Sequence, residues 1–99
     1  MSRALIERRL TDVATRLRKL RDDLGVAEEQ LRHFLSDEDD TRVRAIVAEN
    51  GLAEREHRGA KRAAEAMARH RDQVKSEIAK LEKTQDDLLD EMLAAGEGR

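Results

Sequence analysis

A chain of 99 residues with 42% charged and 38% hydrophobic side chains, a net charge of −2, one aromatic residue and no proline can form one small domain at most. Phe34 alone cannot anchor an aromatic globular core, and the lack of cysteine excludes disulfides and thiolate chemistry. No stretch approaches the roughly 18 apolar residues of a membrane span, the N-terminus lacks a signal-peptide run, and the small net charge argues against disorder, so the expectation is a cytoplasmic protein with no membrane contact.

From about residue 2 to 35, apolar side chains fall at Ile6, Leu10, Val13, Leu17, Leu20, Leu24, Ala27, Leu31 and Phe34. The steps alternate four and three without a break, the heptad pattern of a helix that buries one stripe against another helix. Gly25 lies off the stripe and costs about 1 kcal/mol relative to Ala without ending the helix.

The run Ser36-Asp37-Glu38-Asp39-Asp40-Thr41 is made of residues that favour caps and turns, so the first helix is expected to stop there. A short helix over 40–50 follows, with Val43, Ile46 and Val47 on one face. Asn50-Gly51-Leu52 then reads as its end, Gly51 supplying a left-handed residue and Leu52 a capping contact. A second long helix is expected over 53–95, with a seam at Ala53, His57, Ala60, Ala64, Met67, Arg71, Val74, Ile78, Leu81, Gln85, Leu88, Met92 and Ala95; residues 96–99 form a flexible tail. The register of Val43, Ile46 and Asn50 continues into this seam, so a single helix from Thr41 to Ala95 stays open as an alternative.

Charge sets the direction of packing. Residues 1–21 carry seven basic and two acidic side chains, and 22–40 carry eight acidic and one basic; residues 55–71 carry six basic and two acidic, and 72–98 three basic and eight acidic. Antiparallel folding opposes unlike blocks at every level, whereas parallel packing opposes like ones. The block boundaries place Ile6 near Leu88, Leu10 near Leu81 or Gln85, and Leu31 near Ala60 or Ala64. The fold expected is therefore all-α: one domain over 1–95, an antiparallel coiled-coil hairpin with a short helix at its tip. Leu5, Val26, Leu35, Ala63, Leu89 and Leu93 lie outside the seam and widen the apolar stripe, which suggests a homodimer forming a four-helix bundle.

Chemistry-bearing patterns are few. Glu54-Arg55-Glu56-His57 contains Glu-x-x-His, which sets a carboxylate and an imidazole on one helical face. Over about Thr41 to Ala60, through Ala45-Ile46-Val47-Ala48-Glu49-Asn50 and this motif, the chain resembles the encapsulated two-helix ferritins, in which one Glu-x-x-His per chain completes a metal site across a dimer. The resemblance implies Glu54 and His57 as ligands and Asp23 or Glu28 as the carboxylate from the first helix. Arg and Ala surround these positions and no aromatic lies near them, which departs from that family, and a seam-edge histidine beside a solvated glutamate explains the motif without a metal.

The acidic run Asp37–Asp40 at an expected hairpin tip resembles the layout of Gre-type transcription factors, though their tip motif is absent; solubility and capping explain the same residues. The basic run from Arg16 to Arg21 and the pair Lys61-Arg62 could meet phosphates, but no aromatic stacking platform accompanies them and the acidic blocks can pair with them, which argues against nucleic acid. His33 and His70 lie in different helices without a carboxylate spacing that marks catalysis, and a thin hairpin offers no water-excluding cleft.

The sequence thus points to a non-enzymatic adaptor that dimerises and binds protein partners, with no cofactor and no metal. Ile6, Leu10, Leu17, Leu24, Leu31, Ile78, Leu81 and Leu88 carry its helix–helix interactions. A ferritin-like metal-binding dimer and an acidic-tipped transcription or nucleic-acid accessory factor are the alternatives.

Overall fold

The computed structural model describes residues 2–97, and these form two long helices that pack as a hairpin: α1, Arg3–Ala48, and α2, Gly51–Glu97. Two compact units result. A terminal unit joins the described residues up to Asp23 with those from Val74 onward, and a turn unit spans Leu24–Gln73. No described helix is long and apolar enough to cross a membrane.

Helix α1 starts at Ser2, whose hydroxyl accepts the Leu5 amide at 3.2 Å and so satisfies one of the orphan N–H groups of the first turn. The helix then runs through Ser36–Thr41, where the sequence reading ends it, and the expected short helix over 40–50 is part of its continuous last turns. The reason is visible in the seam. After Phe34 the four–three alternation continues through Glu38, Thr41 and Ala45, each buried or half-buried. The Thr41 hydroxyl donates to the Asp37 carbonyl at 2.8 Å and lies 3.0 Å from that of Glu38, so this buried polar group is satisfied inside the helix. Arg42 and Asp39, three residues apart, add a hydrogen-bonded ion pair at 2.7 Å. Cap-forming residues compete with a helix only when nothing else holds them in one.

The break comes at Glu49 and Asn50, so the single helix from Thr41 to Ala95 is not what forms. Glu49 adopts φ 51°, and its amide still donates to the Ala45 carbonyl at 3.1 Å. The left-handed residue is therefore Glu49, and Gly51, expected in that role, is the first residue of α2. The Asn50 side-chain oxygen accepts the Ala53 amide at 2.9 Å, which makes Asn50 the N-cap of α2, and Glu54 places a carboxylate in that helix's positively polarised first turn. Leu52 is exposed and makes no closing apolar cap. At the far end α2 includes Gly96 and Glu97 of the expected tail; residues 98 and 99 lie outside the described residues.

Across the helices Glu38 faces His57 in the turn unit and Arg21 faces Glu82 in the terminal unit, where Ile6 also shares a depression with Glu91, Ala94 and Ala95.

The terminal unit buries Ile6, Leu17, Leu20, Val74, Ile78 and Leu88, with Ile6 and Leu17 each only 1% exposed. In the turn unit the buried set is Ala27, Leu31, Thr41 and Ala64. Buried area scales with side-chain size at roughly 25 cal/mol per Å², so the seam of the turn unit contributes less per layer.

Candidate interaction surface

The eight apolar residues expected to carry helix–helix interactions lie in the seam of this chain itself. Ile6, Leu17, Leu31, Ile78 and Leu88 are buried, and Leu10, Leu24 and Leu81 are half-buried. Any surface offered to another molecule must therefore come from elsewhere.

Large apolar side chains do remain outside. In the terminal unit these are Leu5, Leu89 and Leu93; in the turn unit they are Val26, Leu35, Val43, Ile46, Val47 and Leu52. Four of the latter gather at the turn. Val43, Ile46 and Val47 stand at i, i+3 and i+4, which puts them on one face of the last turns of α1. Leu52 follows in the first turn of α2. Ile46 is 63%, Val47 79% and Leu52 62% exposed. The sequence already sets Val43, Ile46 and Val47 on one helical face, whereas Leu52, expected as a capping contact, is exposed.

A second apolar feature of the turn unit is an open groove lined by Val26, Glu29, Gln30, His33, Phe34 and Met67. The His33 ring meets the Phe34 ring edge-on at 6.3 Å, and its Nε2 lies 3.8 Å from an Asp37 carboxylate oxygen. His70 is exposed.

His57 is the most constrained polar group. Its Nε2 is fully covered and lacks a hydrogen-bond partner, although Glu38 Oε1 sits 3.8 Å away across the seam. That separation suits an ion pair when the imidazole is protonated but is too long for a hydrogen bond. The carboxylate facing His57 is thus Glu38. Glu28, ten residues earlier on α1 and about 15 Å along its axis, does not take that place, and Asp23 belongs to the terminal unit. Glu54 and His57 do line one shallow depression, together with Arg42, Ala45, Ile46 and Glu49. Among the described residues no three His, Asp or Glu side chains group as a metal site. Arg42 is hydrogen-bonded to Asp39, and that bond, reinforced by the attraction of the same carboxylate, holds its guanidinium more firmly protonated than usual.

Two residues of the basic run 16–21 meet acidic partners. Arg21 reaches Glu82 across the helices at 3.6 Å, and Lys19 meets Asp23 at 3.3 Å. Arg16 lines a depression with Glu77, Lys80 and Leu81. The acidic run Asp37–Asp40 sits within α1, ending nine residues before Glu49, so the turn itself is not acidic-tipped in the way the sequence layout suggested.

No protein-family model matches this chain, and neither a curated protein nor a solved structure matches it.

Proposed function

We propose that the chain is a non-catalytic coiled-coil interaction module that dimerises and binds protein partners. The observation that carries this reading is the set of large apolar side chains left outside the seam, above all Val43, Ile46, Val47 and Leu52 at the turn. Scattered surface leucines are ordinary, but Val43, Ile46 and Val47 share one helical face, each about half exposed or more, and an apolar face of this kind marks an interaction site. The heptad-spaced burial of both helices supports coiled-coil packing within the chain, and the surplus apolar positions support a further helical layer supplied by another chain.

Sedimentation equilibrium over a wide concentration range tests the dimer directly. Mass should rise from one chain toward two, and the melting temperature should rise with it, because association stabilises the folded state by mass action. A single-chain mass and a fixed melting temperature at all concentrations would remove the dimer from this reading.

A further inference from the structure

The basic stretch of α2 in the turn unit has no acidic partners. Arg55, Arg58, Arg62 and Arg69 are exposed, and each lies two residues from a seam position, about 200° around the helix, so the four form one row on the outward side of α2. The sequence pairs this stretch with the acids of α1, but the structure does not. Asp37 lies beside His33, Glu38 faces His57 and Asp39 bonds Arg42. Among the described residues no acid forms an ion pair with any of the four arginines. The turn unit as a whole holds nine basic and eleven acidic residues, so the row reflects segregation of sign and not an excess of positive charge. Within residues 55–71, six basic residues stand against Glu56 and Glu65.

We propose that this arginine row binds the phosphate backbone of a nucleic-acid duplex without reading its sequence, a contact that does not rest on the dimer reading. A guanidinium meets two phosphate oxygens through parallel hydrogen bonds and keeps its charge. From Arg55 to Arg69 the row spans about 21 Å of helix, the length of about six base pairs. Gly59 and Ala66 each stand three and four residues from two of the arginines, so no bulky side chain between them holds a backbone away. The same composition disfavours other anionic partners. A protein interface needs an apolar core inside its charged rim, and a membrane surface needs large apolar side chains to insert; the row has neither. A single strand is held largely by stacking on aromatic rings, and the chain's one aromatic, Phe34, belongs to the seam of α1. A duplex backbone asks only for spaced positive charge.

The test is fluorescence anisotropy of a labelled DNA duplex of arbitrary sequence, about 20 base pairs long, titrated with the full chain. Four phosphate contacts should give a slope of about −3 to −4 for log affinity against log salt, or about a hundredfold weakening between about 50 and about 200 mM salt. The double variant Arg58→Gln, Arg62→Gln should bind at least about tenfold more weakly at low salt and flatten the slope by about 2. Both positions are exposed and glutamine is a good helix former, so circular dichroism should be unchanged. Lys75→Gln with Lys80→Gln makes the same charge change at exposed positions of the terminal unit and should leave affinity within about twofold. The wild-type slope is a readout that depends on no variant. A wild-type chain that leaves the duplex free at low salt overturns the proposal, as do equal losses in the two double variants. Displacement of the duplex by polyglutamate as readily as by unlabelled duplex overturns it in favour of an acidic protein. Tighter binding to phosphatidylserine vesicles than to the duplex overturns it in favour of a membrane surface.

Discussion

The terminal unit and the turn unit use the same two helices and the same heptad spacing, yet they solve the packing problem differently. The terminal unit fills its seam with Ile6, Leu17, Leu20, Val74, Ile78 and Leu88 and leaves three large apolar residues outside. In the turn unit Leu31 is the one large aliphatic side chain among the buried residues Ala27, Leu31, Thr41 and Ala64, with Leu24, Phe34 and Met67 half-buried beside the polar pair Glu38 and His57, and six large apolar residues stay outside. One unit spends its aliphatic side chains on internal cohesion, while the other keeps them available. The difference shows that a constant period says where the seam runs, whereas the identity of the seam residues says how firmly each part is held.

The largest expected effect tests the firm half. Leu17→Ala should cost about 3 kcal/mol, the middle of the range for truncating a buried leucine. Chemical denaturation measures this, and a loss below about 1 kcal/mol would mean that the terminal seam is no stronger than the rest.

In the other half, His57→Leu should raise stability by about 1 kcal/mol, because it removes a covered nitrogen without a partner and fills a seam position with carbon. Glu38, itself partly exposed, can turn toward water. A destabilised His57→Leu chain would show that the Glu38–His57 pair holds the turn unit together.

A smaller gain is expected from Glu49→Gly. A side chain at φ 51° carries a cost that glycine avoids, partly offset by glycine's greater freedom in the unfolded chain, leaving about 0.5–1 kcal/mol. An unchanged or lower melting temperature would show that Glu49 makes contacts worth as much as its backbone strain.

Smallest of all, Arg21→Ala should change stability by under about 0.5 kcal/mol, since Arg21 and Glu82 are both about half exposed. Sensitivity of that difference to salt is the check. A salt-independent loss would point to packing by the arginine stem instead of charge.

Most of the fold was legible in the sequence. Every residue assigned to the seam of α1 up to Phe34, and to that of α2 from Ala53 to Ala95, is buried or half-buried. Charge blocks correctly opposed the basic start of α1 to the acidic end of α2, as Arg21 and Glu82 illustrate. The acidic run reads as a turn because its residues favour caps, yet it continues the helix. Glu38 and Thr41 keep the seam's phase, and the threonine hydroxyl is satisfied within its own helix. Gly51 is the residue best suited by type to a left-handed backbone, yet that position falls to Glu49 and the cap to Asn50. The apolar patch was spelled out residue by residue in Val43, Ile46 and Val47, but its exposure became readable only when 40–50 proved to be the end of a long helix.

The two-residue link at Glu49–Asn50 also bears on the order in which the molecule assembles. Glu38 and His57 are 19 positions apart along the chain, whereas Ile6 and Glu91, which line one depression, are 85 apart. Loop-closure entropy rises with that separation, so early contacts around the turn are the easier to reach and the well-filled layers near the ends are the last to close. The hypothesis that follows is a folding nucleus in the weaker half, with rates governed by substitutions such as Leu31→Ala and unfolding governed by those such as Leu17→Ala. Stopped-flow φ-values near one at Ile6 and Leu88 and near zero beside the turn would refute it. On this account the time the protein takes to fold and the time it stays folded are written in different stretches of the same pair of helices.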